Sequence, residues 1–194
     1  MNKETRLFRE RNDAALMEGR KTDRLENQPQ TRLIKGRGEF SPVLIIVPSS
    51  LLDNWRNEFE TWGYFALSVF RSAKDRAAEL NRIKIGMNDI LLCTTTLFAK
   101  QEHFSTIEEI PWKLIIVDEF HCYKNPKTKC YQCLSSLRNV HRCPIIGMTG
   151  TLMSNNHEEL WSLVDLVQPG ILGLKREFIQ NFSQPIKLAR LVVC

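Results

Sequence analysis

Apolar residues gather in short unbroken runs, and between the runs they recur every three or four positions. Val43-Leu44-Ile45-Ile46-Val47 is the clearest run. Five aliphatic, mostly β-branched side chains in succession fit a strand covered on both faces. Pro48-Ser49-Ser50 ends it, and Ser50 with Asp53 forms a Ser-x-x-Asp capping pattern. The helix so opened carries Leu52, Trp55, Phe59 and Trp62 on one stripe and stops at Gly63. Tyr64 to Arg71 reads as a short strand and Ser72 to Ile85 as a second helix. Ile90-Leu91-Leu92-Cys93, Leu114-Ile115-Ile116-Val117 and Pro144-Ile145-Ile146-Gly147-Met148 are three further strand runs, with helical patterns over 97–102, 126–138 and 156–167. Strands that alternate with helices, each apolar along its length, predict an α/β fold: a parallel sheet with helices on both faces.

Residues 1–41 follow no such pattern. They are rich in Arg, Glu, Asn and Gln. Lys3 to Glu18 predicts a helix, and Gly19 to Gly38 a charged, flexible segment. The chain as a whole is 43% hydrophobic and 25% charged over 194 residues, the composition of an ordinary globular protein. Twenty-seven Lys and Arg against 22 Asp and Glu give a net charge of +5, which permits an acidic partner without demanding one. No apolar run approaches the roughly 20 residues that a membrane-spanning helix needs. The mixed-charge start Met1-Asn2-Lys3-Glu4 lacks the apolar core of a secretory signal. Six cysteines in that setting read as reduced thiols. Cys130-x-x-Cys133 has the spacing of zinc ligands, but it falls in a helical pattern, so no zinc site is expected.

In a parallel sheet, ligands bind beyond the C-terminal strand ends, so the residues just after each run are the ones to read for chemistry. Pro48, Ser49 and Ser50 sit where a helix begins, with free amides and hydroxyls suited to a phosphate. Capping alone would also explain them. Thr94-Thr95-Thr96 is a second hydroxyl cluster, equally able to satisfy local backbone groups. Leu114–Val117 ends in Asp118-Glu119-Phe120-His121. An apolar strand ending in two acids can hold a magnesium ion with the first and orient an attacking water with the second. A solvated loop start is the plainer explanation, made less apt by His121. After the last run come Thr149-Gly150-Thr151 and Asn155-Asn156, then Glu158-Glu159-Leu160-Trp161.

Taken in order, these motifs resemble the first ATPase lobe of Swi/Snf-type DNA translocases, in helicase superfamily two. The resemblance rests on Val43–Pro48, Leu52-x-x-Trp55-x-x-Glu58-Phe59, Val117–His121 with Lys124-Asn125, Thr149–Thr151 and Asn155-Asn156-x-x-Glu159-Leu160-Trp161. Trp62-Gly63-Tyr64-Phe65 and Pro169-Gly170-Ile171-Leu172-Gly173 with Phe178 and Phe182 look most like the Cockayne-syndrome-B-related branch, especially its Rad-like repair members. It implies a RecA-like lobe over 42–186, ATP and Mg²⁺ as cofactors, and a nuclear role in chromatin remodelling or DNA repair. Asp118 would be the magnesium acid, Glu119 the catalytic base and His121 the residue closing the Asp-Glu-x-His box. Thr149, Gly150 and Thr151 would relay nucleotide state, while Pro48, Ser49, Ser50 and Thr94 would hold the backbone of double-stranded DNA. Nucleosomes or repair proteins are the further partners it implies.

The departures are equally informative. Phe120 replaces the usual small residue of the box, Leu152 stands where many relatives have Pro, and Thr96-Leu97 replaces a frequent Tyr-Glu pair. No Gly-x-x-x-x-Gly-Lys-Thr/Ser loop precedes Val43, and Gly36-Arg37-Gly38-Glu39 does not supply one. The family's second lobe is missing too, and residues 187–194 read as a cut end. The expectation is therefore a partial lobe that hydrolyses no ATP alone, its sheet left with an unpaired gap or edge where the phosphate-loop strand belongs. A non-catalytic DNA- or protein-interaction module derived from such a lobe is the alternative.

Overall fold

A computed structural model describes residues 41–63, 65–72, 74, 76–152 and 156–192. The expected charged segment up to Phe40, with its Lys3–Glu18 helix and Gly36–Glu39, lies outside the described residues, as do Tyr64, Asn155, Val193 and Cys194.

All five expected strands form. They are β1 (Val43–Val47), β2 (Leu67–Phe70), β3 (Ile90–Thr94), β4 (Leu114–Val117) and β5 (Ile145–Gly147). They make one parallel sheet in the order β2-β3-β1-β4-β5. The runs that are apolar throughout lie in the middle: every residue of β3 and four of five in β1 are buried. β1 sits at the centre, and the chain leaves it first towards β2 and β3 and later crosses to β4 and β5. The order therefore reverses between β1 and β4, and ligands of parallel sheets bind at such a crevice.

Helix α1 (Leu52–Trp62) covers one face. Its Leu52, Trp55 and Phe59 pack with Ile45, Val47, Leu92 and Val69, so three of the four predicted stripe residues form the packing face. Trp62, near the helix end, is 78% exposed and donates to Glu58 instead. Ser68 points to the opposite face, where its hydroxyl donates to the Glu79 carbonyl of α2 (Arg76–Lys84) at 3.2 Å. Both faces thus carry helices, as the run pattern predicts. The predicted 97–102 helix is instead two short ones, α3 (Thr95–Phe98) and α4 (Gln101–Glu108), separated by an extended Lys100. Helix α5 (Lys129–His141) packs on α3, α4 and α6 (His157–Val167), and α6 also reaches β5. The Ser50–Asp53 cap does not form. Ser49–Leu51 is a 3₁₀ turn without a side-chain cap, and Asp53 pairs with Arg71, which holds its carboxyl below the usual carboxylate range.

Among the described residues no gap interrupts the sheet, whose outer strands are β2 and β5. Ile146 of β5 lies on the face that α1 covers elsewhere and is 48% exposed, so cover runs out towards that edge. Beyond α6, the turn at Gly170 and Gly173 adopts positive φ, and a helical stretch follows that the apolar pattern does not announce. It consists of α7 (Lys175–Phe178), a five-residue π segment (Ile179–Ser183) and α8 (Gln184–Val192).

Candidate functional site

The parallel register brings the expected residues to one rim. Val47 pairs with Thr94, Ile46 with Val117, and Val117 with Gly147, so the segments after β1, β3, β4 and β5 emerge side by side. The Asp118 amide still donates to the Ile46 carbonyl at 2.9 Å, and the Phe120 amide to the Met148 carbonyl at 2.9 Å. Asp118 and Glu119 are both half-buried, at the sheet's edge rather than inside its apolar core.

Glu119 has φ 49° and ψ 49°, a left-handed backbone for a residue with a side chain. Such a conformation costs about 1–3 kcal/mol and persists only where the surroundings impose it. Here the Phe120–Tyr123 3₁₀ turn imposes it, with Phe120 buried and stacked on Tyr123 at 5.9 Å. The result is a side-chain chain along the rim. His121 Nδ1 lies 3.1 Å from Glu119 Oε2 and 3.1 Å from Thr149 Oγ1. The Thr149 hydroxyl donates to the Thr151 carbonyl at 3.1 Å and accepts from the Thr151 amide at 3.2 Å. Because that hydroxyl hydrogen is already used and the Glu119 carboxylate only accepts, the proton between them belongs on His121 Nδ1.

Both oxygens of Asp118 are engaged. Oδ1 accepts from the Glu119 amide at 2.8 Å, and Oδ2 from the Trp55 indole N–H at 2.8 Å. Among the described residues no three His, Cys, Asp or Glu side chains converge to cage a metal. A single half-buried carboxylate suits magnesium, which commonly takes one or two carboxylates and completes its shell with water and phosphate oxygens.

The other expected residues divide. Ser49 and Ser50 are exposed and Pro48 is half-buried at the end of β1. Thr94 is only 5% exposed, and its hydroxyl caps α3 by accepting from the Leu97 amide at 3.3 Å, so it does not face outward with the serines. Thr95 donates to the Val47 carbonyl at 3.3 Å, tying β3's end to β1's. Gly150 has open space where a Cβ would stand, so the chain's own packing does not require glycine there. Lys124 pairs with Glu159 at 3.0 Å, and Asn156 caps α6, anchoring the segments that follow the box and Thr151. Cys130 and Cys133 lie on α5, their thiols pushed up by burial.

The family model described as SNF2-related domain matches residues 6–192. The chain belongs to the SNF2-related family. It is 36% identical over 171 residues to mouse "DNA excision repair protein ERCC-6-like 2", covering 84% of this chain and 11% of that protein. It is 33% identical over 157 residues to mouse "DNA repair and recombination protein RAD54B", covering 80% of this chain and 17% of that one. Among solved structures it resembles the "Sulfolobus solfataricus SWI2/SNF2 ATPase core in complex with dsDNA", with a TM-score of 0.61 and 31% identity over 77% of this chain and 30% of that one. This SNF2-family chain is thus a partial ATPase-core lobe, spanning a small fraction of its relatives' length.

Two functional features escaped the sequence reading. Trp55 was legible as a stripe residue and as part of the Leu52-x-x-Trp55 motif, but neither periodicity nor the motif reports where an indole N–H points. The left-handed Glu119 carried no signal, because no glycine marks the position.

Proposed function

We propose that this lobe presents the metal-binding and water-activating groups of a DNA-dependent ATPase, and that the Pro48–Ser50 turn rests on the backbone of double-stranded DNA. The observation that carries the reading is the unbroken link Glu119–His121–Thr149 beside Asp118, in steps of 3.1 Å. A surface kept only for docking has no use for it. Bound magnesium would neutralise charge on the phosphate oxygens facing Asp118. Glu119 orients the attacking water and takes its proton. His121 shares its Nδ1–H between Glu119 and Thr149, so a change of charge on Glu119 alters the bond to Thr149. Thr149 passes this to Thr151 through its paired bonds. These 194 residues contain no Gly-x-x-x-x-Gly-Lys-Thr/Ser loop, so this reading assigns them the acid side of the site and not the phosphate cradle. The nucleus, with repair or remodelling as the process and nucleosomes or repair proteins as further partners, follows from the same reading.

DNA contact is tested by fluorescence anisotropy with short duplexes of unrelated sequence. Backbone holding predicts equal affinity for each, falling on going from 50 to 200 mM salt by about tenfold if two phosphates are neutralised. Replacing Ser49 and Ser50 together by Glu should weaken binding by about tenfold or more through repulsion, while Glu119→Gln leaves it unchanged. Salt-independent or strongly sequence-dependent binding would refute the assignment.

A further inference from the structure

We infer that Trp55 is the positioning residue of Asp118, and that through it the Pro48–Ser50 turn controls how that carboxylate is presented. The inference rests on Asp118 being the metal-facing acid.

Asp118 is held by two bonds of different character. The one from the Glu119 amide is local and accompanies Asp118 wherever the end of β4 goes. The one from Trp55 spans 63 residues and arrives from another element. An indole N–H only donates, so the direction of this bond is unambiguous. Each carboxylate oxygen offers two acceptor positions, so each retains one for an outside cation. The indole decides which way those positions face.

Trp55 can impose that orientation because its own is imposed. Its ring packs against the Ile45, Val47 and Leu92 cluster and lies 6.0 Å from Phe59. Helix α1 begins directly after the turn, whose Leu51 amide donates to the Pro48 carbonyl at 3.0 Å. Trp55 lies about one helical turn further on. Displacing the turn therefore displaces the indole, while the Asp118 backbone stays tied to Ile46 at 2.9 Å. The sheet sets where Asp118 stands, and α1 sets how its carboxylate points. Packing explains the aromatic ring at position 55, but a phenyl group would also pack; only the bond to Asp118 uses the N–H.

The test uses the full chain with ¹⁵N-labelled indoles, Mn²⁺ as probe and a short duplex DNA. Mn²⁺ should broaden the Trp55 indole resonance, assigned by its loss in Trp55→Phe. It should broaden Trp112 far less, because that residue precedes β4 and so lies at the opposite end of the strand from Asp118. Asp118→Asn should abolish the broadening. Trp55→Phe should weaken Mn²⁺ binding about tenfold, the scale seen when a bond to a metal ligand is removed, and Trp55→His, which keeps a ring N–H, should recover part of it. Duplex DNA should shift the Mn²⁺ midpoint in the wild type and not in Trp55→Phe. Mn²⁺ binding lost in Asp118→Asn but unchanged in Trp55→Phe, or an equal DNA shift in both proteins, overturns the role of Trp55 and leaves the reading of Asp118 standing. Mn²⁺ binding that is absent from the wild type, or indifferent to Asp118→Asn, overturns that reading and this inference together.

Discussion

Gly147→Ala should destabilise the fold by about 2–3 kcal/mol, the upper range for overpacking a filled site. In a chain of this size that lowers the melting temperature by roughly 5–10 °C. A Cβ at Gly147 would stand 2.5 Å from both Cγ and Cδ1 of Phe120. The ring cannot swing aside: it is 3% exposed and stacked on a fully buried Tyr123. The backbone cannot yield easily either, because Phe120 is bonded to Met148 and Met148 to Val117. Phe120→Ala alone should cost about 3–5 kcal/mol as a buried aromatic is lost. Adding Gly147→Ala to that variant should then cost nearly nothing, a coupling of about 2–3 kcal/mol in a double-mutant cycle. Additive losses in denaturant titrations would refute the contact. The pairing also explains why a bulky residue is tolerated within the Asp-Glu-x-His box. The ring occupies space that glycine on the neighbouring strand leaves open, and this keeps Glu119 and His121 on the rim at either side.

Much of this arrangement is legible in the sequence for a definite reason. β1, β3 and β4 are solid aliphatic runs, and a strand buried in a parallel sheet has few other ways to be written. The segments after these runs, and after the Pro144–Met148 run, then mark the rim, which is why Asp118, Glu119, His121 and Thr149 could be singled out; their joint roles came from the family resemblance. What stayed hidden depends on partners distant in the chain. Ser50 and Asp53 have the spacing of a cap, yet Arg71, 18 residues on, takes the aspartate. Helix α4 has no side-chain cap at Lys100 and turns His103 inward, so neither its start nor its stripe stands out. The stretch after Lys175 contains Pro185, which ordinarily reads as a helix end. Here the preceding π segment widens the helix, with the Gln184 amide bonded five residues back to Ile179, and this makes room for the proline ring. Thr94 is a similar case: its hydroxyl, at a strand end, accepts from the Leu97 amide and caps α3, a local bond that spacing alone does not report.

The largest functional effect is expected from Glu119→Gln once the missing parts are supplied. Residues 42–186, grafted in place of the matching stretch of the Sulfolobus solfataricus ATPase core, should support DNA-stimulated ATP hydrolysis. Glu119→Gln should then lower kcat by about 10²–10⁴-fold, the usual scale for a general base, with DNA affinity unchanged. The amide keeps the side chain's size and can still meet His121, but it cannot take a proton from water. This separates the two readings of the chain. A lobe surviving only as an interaction surface would give a graft that binds DNA and releases no phosphate, with or without the substitution. A graft whose turnover is indifferent to Glu119→Gln would move the base elsewhere. These 194 residues alone should release no phosphate, since they contain no Gly-x-x-x-x-Gly-Lys-Thr/Ser loop to cradle it. DNA-stimulated release from them, abolished by Glu119→Gln, would mean that the Asp118–Glu119 rim needs less of a cradle than phosphoryl transfer ordinarily demands.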